Sequence, residues 1–194
     1  MDIPTAYKST TTNSRTMAPA VIIKFPYPSD ATVRCSYLSP LGGMTLAARG
    51  NTLTGVWFNG QKHQPDFSQW AADAKSPVLI ETKRQLAEYF AGKRRAFELP
   101  LDFSNGTAFQ QTVWQALLSI APGKTWSYGE VGQAIGKPTA ARAVGAAVGK
   151  NPLSIVVPCH RVVGSNGAIT GYAGGVERKA VLLKLEKQDF GRKR

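Results

Sequence analysis

Residues 127–150, SYGEVGQAIGKPTAARAVGAAVGK, decide how this chain is read. Ser127 followed three places on by Glu130 is a capping-box pattern, so it opens a helix over YGEVGQAI that Gly136 closes. After GKPT the helical pattern resumes as AARAVGAAVGK. Two short helices across a four-residue turn make a helix-turn-helix. The second helix is odd for a reader of base edges, which normally carries several long polar side chains. Here Arg142 stands near the start, flanked by Ala141 and Ala143 and followed by Gly145, Ala146 and Ala147. A helix that smooth can lie close to a nucleic-acid backbone or in a minor groove, with one arginine reaching into the duplex. The same small residues equally suit tight helix packing with Arg142 left on the surface.

The bulk properties lean the same way. The chain has 194 residues, 43% of them hydrophobic, which is enough for a real core. Its 24 Lys and Arg against 12 acidic residues give a formal charge of +12, which favours a polyanionic partner: nucleic acid first, an anionic membrane second. No apolar run approaches the length of about 18 residues that a membrane span needs. The N-terminal stretch MDIPTAYKSTTTNSRTMAPA lacks an apolar h-region, which predicts a cytoplasmic protein with reduced thiols. Two cysteines (Cys35, Cys159) and two histidines (His63, His160) show no C-x-x-C or H-x-x-H spacing, so neither a metal site nor a cofactor is expected.

Outward from the helix pair, residues 1–30 are rich in Thr, Ser and Pro and read as a flexible tail. ATVRCSYLS, GMTLAAR and TLTGVWFN, broken by PLGG and RGN, read as a small antiparallel meander, with Cys35 as a buried apolar residue in its first strand. SPVLIETKRQLAEYFAGKRR reads as a helix capped by Ser76, with Pro77 in its first turn, Gly92 at its end, and Val78, Thr82, Leu86 and Phe90 on its inner face. A connector at 101–107 divides an N-terminal α/β domain (31–100) from a mostly helical C-terminal domain (108–190), and 191–194 form a basic tail. In the C-terminal half, Thr107 with Gln110 makes another capping box before AFQQTVWQALLSI, whose apolar face is Phe109, Val113, Trp114, Leu117 and Ile120. GGVERKAVLLKLEKQ is a last helix, with Val176, Ala180 and Leu183 on one side. The fold class is therefore α+β: a small antiparallel-sheet domain followed by helices.

IVVPCHRVVG (155–164) sets a cysteine beside a histidine in an apolar run. Cys159 is a nucleophile, a metal ligand, half of a disulfide or inert core. A thiol with its ordinary pKa of about 8.5 is mostly protonated at neutral pH, and apolar surroundings raise that value. A nucleophile needs a base, for which His160 is adjacent, and a carboxylate to orient the base, for which Glu186 is available. Neighbours in an extended strand point to opposite faces, so a Cys–His contact requires a turn, which Pro158 favours, or a bridging water.

NPLSIVVPCHRVVG followed by GAITGYAGGVERKAVLLKLE resembles the O6-alkylguanine-DNA alkyltransferases, or methylated-DNA–protein-cysteine methyltransferases. FQQTVWQAL, SYGEVGQAIGKPTAARAVG and the N-terminal strands fit as well. The likeness spans about residues 32–188 and is to the bacterial single-function type. It implies a ribonuclease-H-like first domain and a second that binds the minor groove of double-stranded DNA and flips out an O6-alkylguanine. It implies that the Cys159 thiolate takes the alkyl group irreversibly, once per molecule, from guanine O6 and also from thymine O4. His160 would take the thiol proton through a water, Glu186 would fix His160, and Asn151 would brace the turn. Tyr128 would bond N3 of the leaving guanine and turn its phosphate. Arg142 would fill the gap left by the flipped base, on a surface shared with Ser127, Ala141, Ala143 and Gly145. The base pocket would comprise Cys159, Val162, Val148, Tyr172, Ala173 and Lys179, with carbonyls of Cys159 and Val162 on the guanine amino group and an amide near Ala173 on O6. A monomer is implied, with cooperative loading on DNA left open.

Three features depart from the family pattern. Val148 replaces an Asn common in bacterial relatives. Ser154 replaces a proline of some animal relatives. The N-terminal metal ligands of other members are missing, His63 and Cys35 alone being present. A non-catalytic sensor of alkylated DNA is the competing reading. Sensors of this kind replace the cysteine, whereas Cys159, His160 and Glu186 are all present here.

Overall fold

The computed structural model describes residues 31–190, and the side chains of 188–190 are left out of account. The expected tails at 1–30 and 191–194 lie outside the described residues.

Three strands, β1 (Thr32–Ser39), β2 (Gly42–Arg49) and β3 (Thr52–Phe58), form the expected antiparallel meander. A two-residue strand, β4 (Ala71–Ala72), adds in parallel to β1, giving the order β3-β2-β1-β4. Two paired residues leave no periodicity to read, which is why the sequence does not disclose β4. β1 alternates buried and open residues, while β2 and β3 are buried on both faces. The helix α1 (Pro77–Phe90) covers one side through Val78, Leu79, Thr82, Gln85, Leu86 and Tyr89. Its Pro77 start is as expected, and Gly92 follows it at φ 72°. Ser76 does not cap it with its side chain: the hydroxyl is buried without a hydrogen-bond partner.

The chain then returns along the outer edge of β3. Leu53 N–H donates to Pro100 O at 2.8 Å and Leu53 bridges Leu101. Farther along the same edge, Val56 N–H donates to Pro152 O at 2.8 Å and Ser154 N–H to Val56 O at 2.9 Å. The segment leading to Cys159 is thus hydrogen-bonded to the N-terminal sheet, and one continuous apolar core runs through both halves.

In the second half, α2 (Ala108–Leu117) and α3 (Tyr128–Ala134) both open with the expected capping boxes, Thr107 with Gln110 and Ser127 with Glu130. α2 ends at Leu117, so Ile120 is buried from the following turn rather than from the helix. α3 and α4 (Ala141–Gly149) form the helix-turn-helix, joined by residues 135–140, a longer turn than four because both helix ends are shorter than the pattern suggests. Gly132 makes the turn possible: a Cβ there would lie 2.9 Å from the Lys137 carbonyl oxygen. Trp114 Nε1 donates to Ala147 O at 2.8 Å and locks α4 on α2.

The last helix, α5 (Val176–Phe190), buries only part of the face expected: Leu183 is buried and Ala180 half-buried. Val176 is 41% exposed, and the inward residues are Lys179, Leu182, Leu183 and Glu186. Apolar spacing misplaced this face because two of its four members are charged and buried together, at i and i+7.

Candidate active site

Cys159 opens a 3-10 turn, Cys159–Arg161, that leads into β6 (Val162–Val163). β6 pairs in parallel with β5 (Trp126–Ser127), which sets Tyr128 at the head of α3 beside the cysteine segment. The turn before Cys159 is unusual in carrying Ile155 at φ 73°, a left-handed conformation that strains a β-branched residue by roughly 1–3 kcal/mol. Asn151 holds it: Oδ1 accepts from Leu153 N–H at 3.0 Å, and Nδ2 donates to Val157 O at 3.0 Å and to Cys159 Sγ at 2.9 Å. Both cysteines are free thiols.

Burial pushes the Cys159 thiol up to about 11, against a lowering from Asn151 and from the positive charge of Lys179. The resting thiol is therefore protonated, and a base must act on it. His160 is fully buried, with Nε2 2.8 Å from Glu186 Oε1. Burial lowers its pKa, with Glu186 pulling the other way. Glu186 is held well below the usual carboxylate range: burial opposes its charge, but His160 and Arg161 outweigh burial. A carboxylate only accepts, so Nε2 carries the hydrogen and Nδ1 the lone pair. Nδ1 is buried without a hydrogen-bond partner, so it makes no direct bond to Cys159.

Several groups at this site escaped the sequence reading. Arg161 Nε and Nη2 each reach Glu186 at 2.9 Å, and Nη1 donates to Ile120 O. Gly123 N–H donates to Glu186 Oε2 at 3.1 Å. The Tyr89 hydroxyl donates to Glu186 Oε1 at 2.9 Å from the far domain. A signal existed for Arg161, an arginine inside an apolar run, and for Tyr89, three places after the inward Leu86. No spacing relates either to Glu186.

Lys179 is fully buried, donates to Thr170 O at 2.5 Å and Gly171 O at 3.1 Å, and is pushed by burial down to about 8. A cavity of about 190 Å³ opens beside it, lined by Tyr128, Gly145, Val148, Tyr172, Ala173 and their neighbours. Lys62 and His63 of the N-terminal domain line it too, unforeseen from sequence; Lys62 N–H bonds Ala173 O at 3.1 Å. Cys159, Val162 and Lys179 are buried and do not form its wall. The cavity rim carries on into α4, whose Ala141, Arg142, Ala143 and Ala146 are exposed around the half-buried Gly145. Ser127 spends its hydroxyl lone pair on Glu130 N–H at 3.1 Å. Among the described residues no cluster of three metal-ligating side chains occurs and no helix is long and apolar enough to cross a membrane.

A smooth-faced helix-turn-helix, a buried thiol and a carboxylate-held imidazole define a class of protein: DNA binders whose chemistry runs through a cysteine. Residues 33–103 match the ribonuclease-like domain, and residues 108–188 the DNA-binding domain, of 6-O-methylguanine DNA methyltransferase. A Mycobacterium tuberculosis methylated-DNA–protein-cysteine methyltransferase is 49% identical over 149 residues, covering 77% of this chain and 88% of the relative. The constitutive Bacillus subtilis methyltransferase of that name is 44% identical over 162 residues, covering 80% and 95%. A crystal structure of M. tuberculosis OGT in complex with DNA superposes with TM-score 0.74 at 47% identity, covering 79% of this chain and 92% of that one. The chain belongs to the methylated-DNA–protein-cysteine methyltransferase family.

Proposed function

We propose that this protein repairs double-stranded DNA by moving an alkyl group from guanine O6 to Cys159, once per molecule, and that O4-alkylthymine is a second alkyl donor for the same chemistry. The observation that carries the reading is the arrangement at the turn. A protonated thiol is held by Asn151, and the next residue is an imidazole whose free lone pair sits on Nδ1 while Glu186 holds Nε2.

His160 takes the thiol proton through one bridging water, because its Nδ1 makes no bond to the sulfur. Sγ then attacks the alkyl carbon in line with O6. The S–C bond forms as the C–O6 bond breaks, and the guanine leaves with the electron pair, to be protonated. The product thioether has no group to remove it, so turnover stops. Lys179 adds positive charge near the sulfur, which favours the thiolate.

The reacting carbon is buried in a duplex, so the nucleotide must be turned out of the stack. The cavity of about 190 Å³ between Tyr128, Val148 and Tyr172 is the entry for that base. A base reaching Cys159 displaces part of that wall, the thiol lying outside it. Val148 supplies apolar packing to the cavity wall. Tyr128, which lines the cavity and whose hydroxyl lies 3.5 Å from Thr170 O, serves the leaving base and its phosphate. Arg142, exposed on a face of small residues, is the finger that replaces the extruded base.

Intact-mass spectrometry after mixing with a duplex holding one O6-methylguanine tests the reading. One added methyl group on Cys159, and none on Cys159→Ala, is expected. A wild type that binds the duplex and stays unmodified establishes the damage-sensor reading instead.

A further inference from the structure

Glu186 is the most heavily bonded side chain in the described structure's active site. Oε1 accepts from His160 Nε2 at 2.8 Å, Arg161 Nη2 at 2.9 Å and the Tyr89 hydroxyl at 2.9 Å. Oε2 accepts from Arg161 Nε at 2.9 Å and Gly123 N–H at 3.1 Å, and the same Nε also reaches Oε1 at 3.2 Å. Five of these six bonds come from the C-terminal half. The sixth comes from α1, 97 residues away in sequence. Tyr89 is fully buried, its ring set against Phe90 and Phe97 at 5.5 and 5.6 Å between centroids, so its hydroxyl has a fixed direction.

We propose that Tyr89 is a positioning residue for alkyl transfer: its hydroxyl holds the Glu186 carboxylate in place and draws charge from the oxygen that faces His160, keeping His160 neutral and free to take the thiol proton. The proposal rests on the reading of His160 as the base. A carboxylate stabilises a neighbouring imidazolium, and an imidazolium has no lone pair for the thiol proton. Each donor on the carboxylate spreads its charge and weakens that pull. The other charged or titratable groups around the pair are Arg161 on the 3-10 turn, Lys179 on α5, the Cys159 thiol and the Tyr172 phenol. Arg161 and Lys179 also oppose an imidazolium. Tyr89 acts as a neutral donor only, because burial and Glu186 both hold its phenol protonated.

Tyr89→Phe removes one oxygen and leaves the ring packing. In the full-length protein, an NMR titration of His160 and the pH–rate profile of single-turnover transfer are read side by side. The His160 midpoint is expected to rise by roughly half to one pH unit, and the acid limb of the rate profile to move with it. A fluorinated tyrosine at position 89, a stronger donor, is expected to move the midpoint down. In a Glu186→Gln background the Tyr89→Phe shift should vanish. A midpoint and acid limb that match wild type overturn the proposal even if Tyr89→Phe melts at a lower temperature, and so does a shift that persists in Glu186→Gln. The NMR readout needs no transfer. A wild type that fails to transfer therefore defeats the proposed function, while the titration still decides the role of Tyr89.

Discussion

Asn151 uses one amide for two tasks. Through Oδ1 and Nδ2 it ties Leu153 and Val157 across the strained turn at Ile155, and through Nδ2 it also donates to Cys159 Sγ. The donor matters more as the sulfur becomes charged, since a hydrogen bond to a charged group contributes about 1.5–3 kcal/mol, roughly 10- to 100-fold in rate. Asn151→Ala is therefore expected to slow methyl transfer by about that factor and to raise the thiol pKa further, read by the pH dependence of thiol alkylation with a small electrophile. Asn151→Asp keeps the size but sets a negative charge beside the sulfur, and should slow transfer at least as much. At this scale the sequence shows the cysteine, its neighbouring histidine and the need for a carboxylate. It does not show that Arg161 and Tyr89 share that carboxylate, because a hydrogen bond across 97 residues leaves no local pattern.

The elements were readable wherever a local rule governs them. Both capping boxes, the three meander strands and the Pro77 start of α1 follow from short-range chemistry and are present. The failures lie where tertiary contacts override the pattern: β4 has two residues, Ser76 caps nothing with its hydroxyl, and α5 turns Lys179 and Glu186 inward. The α4 surface separates two roles that sequence left joined. Val144, Ala147 and Val148 are buried against the core, while Ala141, Arg142, Ala143 and Ala146 are exposed, so the small residues serve packing and an open surface at once. If Arg142 fills the gap left by a flipped base, its removal should matter only when there is a stack to replace. Arg142→Ala is expected to slow transfer from an O6-methylguanine duplex by tenfold or more, and to leave transfer from free O6-benzylguanine nearly unchanged. Equal losses on the two substrates would remove the finger role and leave Arg142 as a phosphate contact.

Across the whole molecule, the sheet domain is bonded into the site rather than merely appended to it. The β3 edge carries Leu53–Pro100, Val56–Pro152 and Ser154–Val56 hydrogen bonds, Lys62 N–H reaches Ala173 O, and Tyr89 reaches Glu186. Cutting the chain between the halves would leave the Val56-bound backbone groups of Pro152 and Ser154 unpaired and expose Leu153, which is fully buried. Each lost buried hydrogen bond costs about 1 kcal/mol, and uncovering a leucine a further 1.5–3 kcal/mol or so. Those losses fall on the segment that already bears the strained Ile155 and presents the nucleophile. A fragment of residues 101–194 is therefore expected to melt at a clearly lower temperature than the full chain, and to transfer a methyl group to Cys159 at least tenfold more slowly in intact-mass time courses. Adding residues 31–100 in trans should recover part of the rate, because what is missing is a strand edge and a phenol rather than a covalent link. A fragment that transfers at the full-length rate would show that the turn keeps its geometry without β3.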